Sequence, residues 1–297
     1  MLYDCFAFFN ELELLELRLN ELDGVVDRFV LVEATKNFQG ADKPLYFMQN
    51  RHLFDKFASR IIHIVVDDMP TGPGVTAWDR DRFQKNAIAR GLTGCSPDDI
   101  IMVSDLDEIP SPAKVAEAAR MDGWRVFRQR LFYYFFNCVS TEEDAHAVDG
   151  AYTWHGTHML NFKDLNRPIE DYRALSVKLT KCYTDRPVKR LYRRFWRFCL
   201  CNLKGCKLHL INEGGWHFSY LGGVEKIIQK LESLAHPEFN TPEYKDPHRI
   251  TRALETGGDI FGRTLRWRIV PLDNSFPAYL RSNLARYAEF VRSPGGE

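Results

Sequence analysis

Residues 98–110 read DDIIMVSDLDEIP. Ile100, Ile101, Met102 and Val103 lead into Asp105, Leu106, Asp107 and Glu108, and Pro110 closes the run. Carboxylates packed this closely repel one another unless a cation or a proton compensates them. Residues two apart on a strand share a face, so the spacing puts Asp105 and Asp107 on one side of the pleat. Hard divalent cations such as Mg²⁺ and Mn²⁺ favour carboxylate oxygens together with substrate phosphates, and they commonly take only one or two protein ligands. A metal-bridged nucleotide diphosphate would satisfy this turn. The plainer alternative is a solvated turn capping a helix that starts near Pro112; the strand end and the third acid favour the ligand.

The elements that carry this turn alternate regularly over the first 120 residues. YDCFAFF, DRFVLVEA, RIIHIVV and DIIMVSD are apolar throughout and read as buried strands. Between them, NELELLELRLNEL has Leu12, Leu15, Leu19 and Leu22 on one helical stripe, with Asn10 and Glu13 as a capping-box-like start. RHLFDKFAS and RDRFQKNAIARGL are the other helices. The pattern predicts α/β architecture, a Rossmann-like doubly wound parallel sheet whose ligands sit beyond the carboxyl ends of the strands. The acidic run falls there, as do Asn10, Glu11, Glu33 to Lys36, Asp67 and Asp68. No GxGxxG follows the first strand, which disfavours a dinucleotide cofactor. Beyond residue 122, WRVFRQRLFYYFFN and YTWHGTHMLNF suggest antiparallel additions at the sheet edge, and residues 225–235 and 277–291 read as helices, the latter packing back on the core. The expectation is one domain over 1–297, with 1–122 as a nucleotide-binding half and 123–297 as an acceptor half.

The 297 residues are 45% hydrophobic and 27% charged, with a formal net charge of zero, so no global field points to nucleic acid. No apolar run approaches the ~20 residues of a membrane span. The N-terminus carries Asp4 early and lacks a basic region and cleavage site, so it does not read as a signal peptide. A cytoplasmic protein, at most peripheral to a membrane, is expected, or a Golgi-lumenal one from which an N-terminal anchor has been removed. Seven cysteines, unevenly spread, argue against a disulfide scaffold. The cluster of Cys199, Cys201 and Cys206 near His209 lacks a recurrent zinc spacing and reads as free thiols.

YDCFAFFNELELLELRLNEL, VVDRFVLVEATKNFQGADKPLYF, SDLDEIP and GGWHFSYLGG, in this order, resemble glycosyltransferase family 17, and the resemblance continues through TGGDIFG to YLRSNLARYAEFV. It implies a GT-A-type fold with a mixed sheet flanked by helices. It also implies a nucleotide-sugar donor, expected to be UDP-N-acetylglucosamine, and an inverting transfer dependent on Mn²⁺ or Mg²⁺. On this pattern Asp105-Leu106-Asp107 matches the D-x-D motif: Asp107 holds the metal, and Asp105 leans toward the ribose or the metal's waters. His217 in GWH matches a C-terminal histidine that contacts metal or diphosphate. Glu33 and Asn86 fall where the donor is held, against salt bridging to Lys36 or Lys43 and helix-surface packing, respectively. Glu108 either steadies the turn or reaches a ligand. The stretch WHGTHMLNFKDLNRPIEDYR resembles a glycine-containing donor loop ahead of a Glu-Asp pair, making Asp171 the first candidate for general base and Glu170 the second. Glu142, Glu143, Asp144 and Glu213 are the rival acids. Trp154 and Trp216 could stack on sugars or belong to the core.

Residues 178–207 contain ten Lys or Arg and a single Asp, interleaved with Leu191, Tyr192, Phe195, Trp196 and Phe198. That composition suits an interfacial helix on anionic lipid, and equally an amphipathic helix packed on the core with a solvated basic face. The segment departs from the animal family members and points to a lipid-linked or cell-surface glycan precursor as acceptor. Two rival functions are a non-catalytic GT-A-like module that binds glycans or membrane surfaces, and a metal-dependent nucleotidyltransferase or phosphohydrolase. The first is opposed by the retained Asp105 and Asp107; the second would want a basic phosphate-binding motif where the chain has FFNELE.

Overall fold

The computed structural model describes residues 1–140, 147–148, 151–180, 191–192, 195, 207–263 and 267–293. The four expected strands form as β1 (Leu2–Phe8), β2 (Arg28–Ala34), β3 (Ile61–Val66) and β4 (Ile100–Asp105), separated by α1 (Leu12–Glu21), α2 (Tyr46–Asn50) and α3 (Ala77–Asn86). β1 lies parallel to β2 and β4, and β2 parallel to β3. Alternation within the strands fills both faces of this sheet. Phe6, Phe8, Phe29 and Leu31 pack on the α1 side, while Cys5, Val30, Val32 and Val103 pack against Ala87 and Ile88 on the other. Buried on two sides, the strands read as unbroken apolar runs.

Of the later strands, those of WRVFRQRLFYYFFN and YTWHGTHMLNF attach in antiparallel fashion, as the sequence suggests, whereas the strands at 208–211 and 215–219 lie parallel to the first of these. β5 (Glu108–Pro110), α4 (Pro112–Ala118), β6 (Trp124–Tyr133), β7 (Cys138–Ser140), β8 (Ala147–Val148), β9 (Ala151–Asn161) and α5 (Ile169–Thr180) follow β4. Next come β10 (Leu208–Ile211), β11 (Gly215–Ser219), α6 (Gly223–Ser233), α7 (Pro247–Thr256), β12 (Trp267–Ile269) and α8 (Ala278–Ser282). β9 pairs antiparallel with both β4 and β6. The sheet order is β12-β7-β6-β9-β4-β1-β2-β3, so one mixed sheet flanked by helices carries strands from both halves of the chain.

Three local expectations are corrected. Asn10 and Glu13 form no capping box: α1 begins after Glu11, and no side chain caps it. The segment 277–291 is not one helix. It is the short α8 followed by turns and a 3-10 turn at Ala288–Phe290, although Leu280, Tyr287 and Phe290 do pack into the main core. The supposed donor loop around Gly156 lies inside β9. A Cβ at Gly156 would stand 2.0 Å from Gln129 Oε1 and 2.9 Å from Glu108 Cδ, so this glycine admits neighbouring side chains to the strand. No helix among the described residues is long and apolar enough to cross a membrane. The basic segment 178–207, the cysteine cluster and Glu142 to Asp144 lie largely or wholly outside the described residues; within the basic segment, Leu191, Tyr192 and Phe195 are exposed.

Candidate active site

The acidic turn is held from below by Arg18. This side chain of α1 is wholly buried and donates to both carboxylate oxygens of Asp4, at 2.6 and 2.8 Å. It also donates to Ser104 Oγ and to the backbone carbonyls of Asp105, Leu106 and Glu108 at 2.9, 3.1 and 3.0 Å. One guanidinium thus satisfies the carbonyls left over where β4 ends, and its planar fork suits that task.

The turn then meets the GWH segment. β5 and β11 are antiparallel with His217 opposite Glu108, and Phe218 donates its N–H to the Asp107 carbonyl at 2.9 Å. The close approach depends on Gly215, whose φ is +131° and whose Cβ, if present, would lie 2.2 Å from the Ile109 carbonyl oxygen. Neighbours on a strand face opposite ways. His217 therefore lines the cleft with Asp107, whereas Trp216 is buried in the core and donates its indole N–H to the Ser275 carbonyl. Trp216 is a core residue, not a sugar platform.

A cleft of about 950 Å³ opens at the carboxyl ends of β1 and β4. Asp105, Asp107, His217, Trp154 and Glu170 line it together. Glu11 and Lys36 from the strand ends line it too, whereas Glu33, Asn86, Asp171 and Glu213 do not. Glu33 is fully buried, accepts the N–H groups of Phe47 and Met48 at the start of α2, and lies 3.2 Å from His63 Nε2. It is a helix cap with Lys43 at 3.9 Å, and not a nucleoside ligand. Asn86 turns its carbonyl to the Glu170 N–H at the start of α5. Asp171 faces away from the cleft lining, and Glu213 borders a separate shallow depression. Glu108 steadies the turn. It is 1% exposed and accepts from Arg173, the Trp154 indole and the Asp105 N–H.

The cations beside the acidic turn were not legible as site residues. Asp105 lies 2.7 Å from Arg173 and 3.3 Å from Lys85; Asp107 lies 2.9 Å from Lys230 and 3.5 Å from His217. Burial disfavours charge on both carboxylates. Arg173 and Lys85 outweigh it at Asp105, Lys230 and His217 outweigh it at Asp107, and both groups are held below the usual range. Burial dominates at Glu170, which is raised, and among the described residues its Oε2 accepts no hydrogen bond. Available signals were Arg173 three residues after Glu170 on one helix and Lys85 four after Asp81. Nothing local marks Lys230.

The comparisons follow this geometry. Residues 1–147 match the model of glycosyltransferase family 17. The human β-1,4-mannosyl-glycoprotein 4-β-N-acetylglucosaminyltransferase is 25% identical over 304 residues, covering 96% of this chain and 54% of that protein. The chain is similar to glycosyltransferase family 17 through residues 1–147 and to that enzyme along nearly its whole length. The rat protein of the same name is 24% identical, with 96% and 53% covered. The chain spans about half the length of the curated relatives it matches. Among solved structures, the inositol-1-phosphate CTP transferase from T. maritima aligns with a TM-score of 0.38 at 9% identity, over 98% of this chain and 97% of that one.

The family's implied metal was tested against the residues present. Asp107 and His217 offer a carboxylate and an imidazole side by side, a donor set that Mn²⁺ accepts, and His217 Nδ1 is buried without a partner. Asp105 is committed to Arg173 and Lys85. Among the described residues no group of three or more His, Cys, Asp or Glu side chains could hold a metal ion. A divalent ion held here would have Asp107 and His217 as its protein ligands, a number that suits a hard ion which also binds substrate phosphate.

Proposed function

We propose that this chain transfers N-acetylglucosamine from UDP-N-acetylglucosamine to a saccharide hydroxyl, with inversion, in a GT-A-type cleft. The supporting observation is the joint placement of the Asp107–His217 pair and Glu170 along one cleft at the strand ends. Mn²⁺ or Mg²⁺ on Asp107 and His217 would supply charge neutralisation to the donor diphosphate. Glu170 takes the proton of the acceptor hydroxyl while that oxygen bonds to the anomeric carbon and the bond from that carbon to the diphosphate breaks. The electron pair leaves on UDP. Trp154, fixed through Glu108, presents an aromatic wall, and Arg173 and Lys85 keep Asp105 ionised. A glycan or lipid-linked saccharide is the acceptor class; exposed Leu191, Tyr192 and Phe195 within a basic stretch of sequence support presentation at an anionic membrane surface.

Isothermal titration of UDP and UDP-N-acetylglucosamine, with and without Mn²⁺, tests the donor site. The expected result is metal-dependent binding that is lost in Asp107→Ala. Binding indifferent to both metal and Asp107 would overturn it.

The base is tested separately. Glu170→Gln is expected to lower kcat roughly 100- to 10,000-fold. In the wild type, activity should fall on the acid side as Glu170 protonates, at a pH above the ordinary glutamate value of about 4.3, because burial raises this group. The acid limb should vanish from whatever turnover the variant retains. A Glu170→Gln enzyme within a few-fold of wild type would hand the role to another acid.

A further inference from the structure

The Asp107 carboxylate that would hold a divalent ion already carries a cation of the protein. Lys230 Nζ on α6 donates to Asp107 Oδ2 at 2.9 Å, while His217 Nε2 stands 3.5 Å from Oδ1. The lysine lines the cleft, passes over the Tyr220 ring at 5.4 Å, and has a second anion, Glu11, at 3.9 Å. An ammonium on Oδ2 and a divalent ion on Oδ1 beside His217 would repel one another and divide the charge of one carboxylate. A lysine on a flexible four-carbon stem can leave one anion for another nearby, where an arginine fork would be held more firmly.

We propose that Lys230 is an exchange cation: parked on Asp107 when the cleft is empty, it gives up that carboxylate when donor and metal enter and moves to the diphosphate, where it bonds the leaving group. This rests on the metal-bridged donor proposed above. The charge balance favours it. One carboxylate neutralises a single charge, so an ion of two charges on Asp107 drives Lys230 toward another anion, which the incoming diphosphate brings. The lysine also makes metal binding conditional on nucleotide, because without phosphate its displacement leaves only Glu11 to receive it.

The exchange predicts effects of opposite sign from one substitution. In nucleotide-free protein, Lys230→Met is expected to bind Mn²⁺ at least about tenfold more tightly than wild type, followed by the electron paramagnetic resonance signal of free Mn²⁺. At saturating Mn²⁺ the same variant should bind UDP at least about tenfold more weakly, read by calorimetry. Lys230→Arg, which keeps the charge and folds with the least disturbance, should bind Mn²⁺ no more tightly than wild type without nucleotide. Unchanged metal affinity in Lys230→Met overturns the parking; unchanged UDP affinity overturns the leaving-group contact. A Lys230→Arg protein that gains metal affinity overturns the competition. Wild type that takes up no Mn²⁺ even with UDP fails the metal site itself and the exchange with it. Wild type that does so, beside a Lys230→Met protein with no gain, fails the exchange alone.

Discussion

Arg18→Leu is expected to destabilise the protein by about 3–5 kcal/mol, the cost of stranding one partner of a buried ion pair. Asp4 and Arg18 are both wholly buried, and the leucine would leave the carboxylate with neither counter-charge nor water. The carbonyls of Asp105, Leu106 and Glu108 would lose their shared donor at the same time. Urea unfolding of wild type, Arg18→Leu, and the double variant Asp4→Leu with Arg18→Leu separates the two contributions. The double variant should recover part of the loss, since the stranded charge is gone, yet stay below wild type because the turn's carbonyls remain unmet. A single variant within about 1 kcal/mol of wild type would mean that Arg18 does not hold the turn.

Why the acidic turn needs such a device follows from its place in the sheet. β4 ends against β1 with Ala7 opposite Asp105, and the chain must then turn within two residues to start β5. Those elements were readable in the sequence because each strand is buried on both faces, and a run such as FVLVEA has one structural meaning at that length. His217 was singled out by the resemblance of GGWHFSYLGG alone; the close backbone approach beside it, with Gly215 pressed on the Ile109 carbonyl, shows only in the fold. Glu33 misled because a strand-end acid has the same local appearance whether it meets a ligand or caps a helix. Here a helix starting at Tyr46 supplied the N–H groups. The sequence ranks Asp171 ahead of Glu170 without access to the phase of α5, which turns Glu170, Arg173 and Ala174 toward the cleft. The cations were the largest omission. A lysine or arginine on an amphipathic helix looks like solvated surface, and only tertiary packing brings Lys85, Arg173 and Lys230, from three separate helices, around one turn.

Arg173 is the cation on which this wall of the cleft depends most. It binds both oxygens of Glu108 at 2.8 and 3.0 Å and Asp105 at 2.7 Å, and its own charge is favoured by the same acids against the pull of burial. Arg173→Met would leave Asp105, Glu108, Glu170 and Asp81 with Lys85 as the remaining close cation among the described residues, at an expected loss of about 3–5 kcal/mol near neutral pH. The loss should depend on pH, with a definite sign. Asp105 is held below the ordinary aspartate range, so its pairing contributes stability above the unfolded value of about 3.9, and that contribution fades as pH falls toward the folded value. Without Arg173, burial prevails and the folded state takes up a proton more readily. The gap between variant and wild type should therefore be widest near pH ~7 and narrow as pH falls through about 4 and below, measured by urea unfolding at several pH values. A gap that stayed constant with pH would assign the loss to the packing of the Arg173 stem instead of its charge.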